Sequence, residues 1–533
     1  MVIALYRGKT PLKIRKRIWG IARELLVLIT LGWALVLLSK TGRFPAGDGP
    51  HILGVSTRLA QLLTDGEWTS FVYCFSSLLG PHPPFAYLPY MLAELLFPNQ
   101  GWTHLLGSTF VLWICWNGIQ RLGGGLIGLI WLVCGAPIWL QYENAGIDLA
   151  AGACAIQAVS WLWKSEQLTK RRETFIWGLW LGMGFMVKYT APMFMWGPCI
   201  LAGYWVLKRS AWSTLFVGIF GFSIIALPWW STHIGNVMGY VSASSNSSSG
   251  LLTNQNILTG PWYEWDRISW YPAVLIDSYG VMIGMVTLGA LIIRHHSSKA
   301  PMLVLSMLGG WIFLNAQSQR QDRYIVPAIP ALSATIATSW LAIPSLYYAW
   351  PTLKGTFETY TNPTPSPAQR EYTHSIESAG VNWPNPPKAY WPVSLDTDAW
   401  GVDDALVKTR SYQGSDYGTV GFLLDESGGA PGFGAVLRRA TALGYRWHIA
   451  TVMVVRPSRN MGPNQPLASV FVGPFTFGSW PSRDFDVLLM MVKRADPQRD
   501  RWLKTTGMVL TETWKLPKGR TAYIYTKKSS LSD

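Results

Sequence analysis

Apolar stretches long enough to cross a bilayer recur up to about residue 345, and the short loops that carry basic residues alternate with loops that do not. A helix needs roughly 20 apolar residues to span the hydrocarbon core. Within that core every backbone polar group must be satisfied inside its own segment, so such stretches form helices. Spans are expected near 24–40, 103–120, 124–141, 147–163, 174–188, 191–207, 212–230, 272–293, 301–316 and 323–343, about ten in all. Two longer, mixed segments interrupt them, at about 41–101 and 231–270. The first contains Phe85–Phe97, too short and interrupted for a span and read as a helix lying at the interface. The second contains the Ser/Asn-rich run Ser242–Gly250, read as a mobile loop.

Charge orients the spans. Lys9, Lys13, Arg15, Lys16, Arg17 and Arg23 precede the first apolar run. With that end inside, Arg121, the cluster Lys164–Arg172, Lys208–Arg209 and Arg294–Lys299 all fall on the cytoplasmic side, as the positive-inside rule requires. The segments 41–101, 142–147, 231–270 and 317–322 then share the opposite face. A net charge of +15 would suit nucleic acid, but its concentration in short loops points to cytoplasmic retention and anionic lipid instead. Only 14% of residues are charged, against roughly 25% in soluble domains. The 30 tryptophans and 22 tyrosines suit a membrane–water boundary. No small-residue cleavage site follows the basic N-terminus, so Glu24–Leu38 reads as a retained span. The five cysteines show no metal-ligand spacing and read as small packing residues.

From about 350 the pattern becomes that of a soluble domain. A Pro-rich linker, 351–410, leads into an α/β domain at 411–533. Strands are expected at Thr419–Leu424, Ile449–Val455, Ser469–Val472 and Asp486–Val492, a helix at Phe433–Leu443 stopped by Gly444, and a hairpin of Val509–Trp514 with Thr521–Tyr525. The stretch Gly428–Gly434 does not fit a dinucleotide-binding loop. The fold class is therefore an all-α polytopic membrane domain, 1–350, with a C-terminal soluble α/β domain. Ten spans place that domain in the cytoplasm; one span more or fewer reverses the side.

Ionisable residues at the membrane edge are costly and mark function. On the outer face these are Asp48, His51, His82, Glu143, Asp148, Lys188, Arg320, Asp322 and Arg323. Glu143, beside Tyr142 at the interface, reads as a solvated rim residue. Five of the others also have a purely structural use. Asp48 sits where aspartate often makes turns, Asp148 can cap a helix start, His82 can order the Pro-Pro turn, and Lys188 and Arg323 can snorkel. Carboxylates and cations gathered on one face are nevertheless what transfer from a glycosyl phosphate requires. A carboxylate takes the proton of an acceptor hydroxyl, and cations hold a phosphate whose charge grows as it leaves.

Four stretches resemble motifs of one family. Phe44-Pro-Ala-Gly-Asp48-Gly-Pro-His51 is similar to the acidic first-loop motif of GT-C class membrane glycosyltransferases. Gly80-Pro-His82-Pro-Pro-Phe-Ala-Tyr87 resembles the His/Lys-Pro-Pro motif of the protein O-mannosyltransferase and aminoarabinose-transferase branches. Leu181–Tyr189 is similar to the Gly-rich span ending in Thr-Lys-Gly, with the Thr and last Gly replaced. Arg323-Tyr324-Ile-Val-Pro327-Ala-Ile-Pro330-Ala is similar to the Arg-Tyr-Leu-Leu-Pro-x-x-Pro-Ala stretch. Their order and spacing match across roughly 20–345.

The resemblance implies a polyprenyl-phosphate sugar donor, an inverting transfer to a lipid, glycan or protein acceptor, and a site at the outer surface of a bacterial inner membrane. By position it implies Asp48 as general base and Asp148 as a second acid. Lys188 and Arg323 would approach the donor phosphate, with His51, His82, Arg320 and Tyr324 as further substrate-binding residues. A divalent cation is the one cofactor the resemblance leaves open, with none assigned; Gly49, where the family often has a second acid, weakens that option. The rival from another class is a transporter or flippase of a lipid-linked or small polar substrate. Transporters usually show internal repeats and paired broken helices, which are not evident here. A catalytically silent glycan-binding membrane protein is the third reading, and it requires that Asp48 be dispensable.

Overall fold

The structure, a computed structural model, describes residues 49–76, 83–98, 100, 102–135, 138, 141–142, 145–246, 256–257, 263–279, 284, 287–288, 290, 299–316, 319–320, 322–337, 401–415, 417–423, 436, 440, 443–454, 470–472, 487–492, 507–516 and 520–527. The span expected at 24–40 lies outside them, as do Gly428–Gly434 and the 351–400 part of the linker.

The first mixed segment, 41–101, is helical where described: α1 (Gly49–Thr64), α2 (Trp68–Ser76), a 3-10 turn at Pro84–Ala86 and α3 (Leu88–Leu96). The membrane helices follow as α4 (Thr103–Arg121), α5 (Gly125–Val133), α6 (Ile147–Lys164), α7 (Arg171–Phe185), α8 (Trp196–Arg209) and α9 (Trp212–Asn246). After them come α10 (Trp265–Tyr279), α11 (Lys299–Ala316) and α12 (Ile329–Ile336). Among the described residues, the stretch Trp212–Gly235 of α9 is long and apolar enough to qualify as a span by itself. Lys299–Asn315 and Tyr324–Ile336 are shorter apolar helices. The described parts of the other expected spans are largely helical as well. Their buried faces are supplied by neighbours, so polar groups such as Gln157 and Thr103 are shielded by protein.

At the centre is α6, buried from Ile147 to Ser160. A helix buried on every side belongs inside a bundle. Its Ala- and Gly-rich sequence lets neighbours come close: Gly118 of α4 packs on Ile156, and Gly152 lies under Pro327 and Pro330. The α7–α9 crossing rests on glycine too. A Cβ on Gly178 would collide with the carbonyl of Gly218, and one on Gly182 would lie 2.9 Å from the carbonyl of Phe222. Small residues four apart are the usual device for close helix crossings in lipid.

Two boundaries differ from the sequence expectation. Helix α9 runs 35 residues, through Pro228 and on to Asn246. The segment expected to leave the membrane at 231 and become a loop at 242 therefore stays helical until 246. Ser and Asn are weak helix formers but not breakers, and membrane helices tolerate proline when neighbours satisfy the freed groups. The other is α13 (Val402–Gln413), which occupies the end of the expected linker. It packs Val402, Ala405 and Leu406 into the core of the C-terminal domain.

That domain is a six-stranded sheet of β3 (Tyr417–Leu423), β4 (Arg446–Val454), β5 (Val470–Val472), β6 (Val487–Val492), β7 (Met508–Leu516) and β8 (Arg520–Lys527), in the order β5-β4-β3-β6-β8-β7. Strands β4, β3 and β6 are parallel and the rest antiparallel. Val436 and Ala440 are helical and buried, and Gly444 (φ +84°) follows, with the Tyr445 amide donating to the Ala440 carbonyl at 2.9 Å. That closure is the Schellman pattern, which favours glycine. Two further strands, β1 (Asn256–Ile257) and β2 (Gln319–Arg320), pair antiparallel in the membrane domain.

Candidate active site

Asp148 is the second residue of α6 and is 1% exposed. Its amide donates to Gln141 Oε1 at 3.2 Å, while no side-chain cap forms at the start of α6. Its carboxylate instead pairs through Oδ1 with Lys188 Nζ. Oδ2 is buried and makes no hydrogen bond among the described residues. Lys188, 8% exposed, follows the end of α7, and its Nζ stands 5.1 Å from the centre of the Tyr324 ring. Two of the four sequence motifs, those of Lys188 and Tyr324, thus meet the carboxylate of Asp148 at one ammonium group. A lysine ammonium has three donor directions, and a buried pair with one open carboxylate oxygen holds both acceptor and donor capacity in low dielectric.

The surroundings explain how residues so distant in sequence converge. The Phe85 amide, in the Pro-Pro turn, donates to the Met186 carbonyl at 2.9 Å, which ties the first mixed segment to the stretch that presents Lys188. Gly152, one turn along α6 from Asp148, accepts the close approach of Pro327 and Pro330 and so seats the Tyr324 turn (3-10, Asp322–Ala328) beside the carboxylate. The β1–β2 pair brings Asn256–Ile257 of the second mixed segment to Gln319–Arg320, just before that turn. The glycines of Leu181–Lys188 face α9 and Met195 rather than the ion pair, so their role is helix packing.

Of the sequence candidates, Asp148, Lys188 and Tyr324 are together. Asp48 and His82 lie outside the described residues. His51 belongs to α1, Arg320 to β2 and Arg323 to the 3-10 turn by backbone; their side chains lie outside the description.

Sequence reasoning passed over an aromatic group on the same side. The Trp229 and His233 rings stack with centroids 4.6 Å apart, and Trp230 meets both Phe185 and Tyr189 edge-on. The indole N–H groups of Trp229 and Trp230 are buried and make no hydrogen bond among the described residues. The available signal was a Trp-Trp pair directly after Pro228 near the outer end of a span. Glu94, a buried carboxylate that accepts a hydrogen bond from Thr103, was also missed; it joins α3 to the start of α4. Among the described residues no group of three or more His, Cys, Asp or Glu side chains comes together.

No family model matches the sequence, and no curated protein matches it. Solved structures do. The crystal structure of ArnT from Cupriavidus metallidurans bound to undecaprenyl phosphate superposes with a TM-score of 0.54 at 12% identity, covering 95% of this chain and 98% of that one. The apo structure of the same protein matches with a TM-score of 0.54 at 13% identity, covering 94% and 98%. The resemblance read from the motifs is borne out at the level of fold: this chain has the fold of ArnT, an aminoarabinose transferase of the GT-C class.

Proposed function

We propose that this protein is a multi-pass membrane glycosyltransferase that moves a sugar from a polyprenyl-phosphate donor to an acceptor hydroxyl at the outer membrane face. The observation that carries the reading is the buried Asp148–Lys188 pair with Tyr324 against it, which joins two of the family-like motifs to the start of α6. The full-length likeness to a protein crystallised with undecaprenyl phosphate supports the donor class.

In this reading the Lys188 ammonium, held in place by Asp148, faces the donor phosphate. Asp148 positions the ammonium, and its open Oδ2 accepts a hydroxyl hydrogen bond from the sugar or the acceptor. Arg323 adds a second cation to the phosphate. Asp48 takes the acceptor proton as the new glycosidic bond forms on the face opposite the leaving group. The bond from the anomeric carbon to the phosphate oxygen breaks, its electron pair leaves with the polyprenyl phosphate, and the cations stabilise the growing charge. Acceptors of the right chemistry are a lipid, a glycan or a protein hydroxyl.

The test is purified protein with a panel of polyprenyl-phosphate pentoses and hexoses, reading released polyprenyl phosphate. Release with at least one donor, abolished by Asp48→Asn, is expected. Binding of donors with no release under any acceptor condition would return the protein to the transporter class.

A further inference from the structure

The end of the molecule away from Asp148 holds a second site. Helix α7 is 15 residues long, about 22 Å at 1.5 Å per residue. Lys188 follows one end and a cavity of ≈ 650 Å³ opens at the other. That volume lies within the ~300–1,000 Å³ of small-molecule sites. Lys164, Lys170 and Arg209 line it together with the carboxylates of Glu166 and Glu173, and Trp163 and Trp205 form walls. The basic loops mark this side as cytoplasmic.

The charges there are unevenly compensated. Lys170 pairs with Glu166, whereas Lys164 and Arg209 form no ion pair among the described residues. Lys164 lies 5.0 Å from the centre of the Trp161 ring and Arg121 4.8 Å from the same centre, so two cations share one ring. The backbone around the cavity is strained. Of the five non-glycine residues with positive φ among those described, Glu166, Gln167 and Leu168 form the loop at its rim and Ser210 follows Arg209. The loop holds that shape because Leu168 is buried, its amide donates to Ser165 Oγ at 3.1 Å, and the Thr169 amide donates to the Ser165 carbonyl at 2.9 Å. Strain of this kind persists where surroundings enforce it and concentrates at ligand sites. Amphipathic Trp walls beside unpaired cations at a membrane edge match a lipid headgroup, with the ring faces on the acyl side and the cations on the phosphate.

We propose that this cavity binds the phosphodiester headgroup of an anionic phospholipid from the cytoplasmic leaflet, held by Lys164 and Arg209. The site stands apart from the transfer chemistry and needs only that the chain be a membrane protein.

The experiment uses delipidated full-length protein and measures thermal stabilisation on titration with phosphatidylglycerol, phosphatidylcholine or inorganic phosphate. Phosphatidylglycerol is expected to stabilise the parent. Its apparent affinity is expected to fall about tenfold in Lys164→Gln and in Arg209→Gln, and to be kept in the charge-preserving Lys164→Arg, which also shows that the site tolerates substitution. Inorganic phosphate and phosphatidylcholine are expected to bind at least tenfold more weakly. Equal affinity of parent and the two Gln variants for phosphatidylglycerol overturns the proposal. So does saturation by inorganic phosphate alone, which makes the site one for a free ion, or equal binding of phosphatidylcholine.

Discussion

Lys188 and Asp148 are separated by 40 residues in sequence and form an ion pair whose side chains are 10% and 1% exposed. Removing one partner of such a pair strands a charge and costs about 3–5 kcal/mol, whereas removing both costs far less. Lys188→Ala is therefore expected to lower the melting temperature in detergent clearly, and Lys188→Ala with Asp148→Asn to recover much of the loss. Neither should turn over a donor. A Lys188→Ala protein as stable as the parent would show that Asp148 is compensated by other groups.

Asp48→Asn keeps shape but cannot accept the acceptor proton. Turnover with a working polyprenyl-phosphate sugar should fall by roughly two or more orders of magnitude, with donor binding retained. Turnover near that of the parent removes Asp48 from the role.

The glycine collar between α7 and α9 gives a prediction independent of chemistry. Gly178→Leu drives a side chain into the Gly218 carbonyl, and overpacking of this kind costs about 1–3 kcal/mol or more. Gly203, in α8, has nothing within 4 Å of the point that an alanine Cβ would occupy, so Gly203→Ala should leave stability unchanged or raise it by up to about 1 kcal/mol. Thermal unfolding of both variants in one detergent decides; equal effects would mean that the α7–α9 crossing has room for a large side chain.

In the C-terminal domain, Lys408 Nζ lies 2.6 Å from Glu512 Oε1 and 4.4 Å over the Trp514 ring, joining α13 to β7. The hydrogen bond from Lys408 holds the Glu512 carboxyl below its ordinary value of 4.5, and the hydrogen bond to Glu512 raises the Tyr412 phenol above 10.0. A depressed carboxyl contributes stability that is complete above its unfolded value and lost as pH falls through the folded one. A raised phenol contributes stability complete below its unfolded value and lost as pH rises through the folded one. Docking of α13 should therefore loosen below about pH 4 and above about pH 10. Hydrogen exchange of 402–413, corrected for intrinsic rates, measures it. Lys408→Gln should remove the acid limb; an unchanged profile would assign that limb to other groups.

The segment between α9 and α10 carries the remaining prediction. Its strand Asn256–Ile257 pairs with Gln319–Arg320 beside the Tyr324 turn. If this segment closes over bound substrate, adding a lipid-phosphate sugar should protect 247–264 from hydrogen exchange. Unchanged exchange with activity intact makes it a passive connector.

Much of the site was legible because its chemistry violates the local pattern. Asp148 and Lys188 stand at the edges of apolar runs, and Tyr324 belongs to a Pro-punctuated stretch that an ordinary span does not need. Their meeting was not legible, since it depends on Gly152 and on the Phe85–Met186 hydrogen bond, both tertiary facts. The strands of the C-terminal sheet could be read from runs such as Val487–Val492. Helix α13 could not, because Val402-Asp-Asp-Ala-Leu-Val-Lys-Thr409 offers a narrow apolar stripe next to a Pro-rich stretch. The end of α9 escaped for a related reason: Ser and Asn mark loops only on average, and nothing after Gly235 actively stops a helix.

The length of α9 has a geometric consequence. Its apolar part, Trp212–Gly235, covers 24 residues, or about 36 Å, which already exceeds the ~30 Å hydrocarbon core. The 11 residues from 236 to 246 continue it by about another 16 Å. All 35 residues together amount to about 52 Å of helix. One helix that fails to stop where its sequence turns polar therefore outruns, by its own length, the thickness of any bilayer core it crosses.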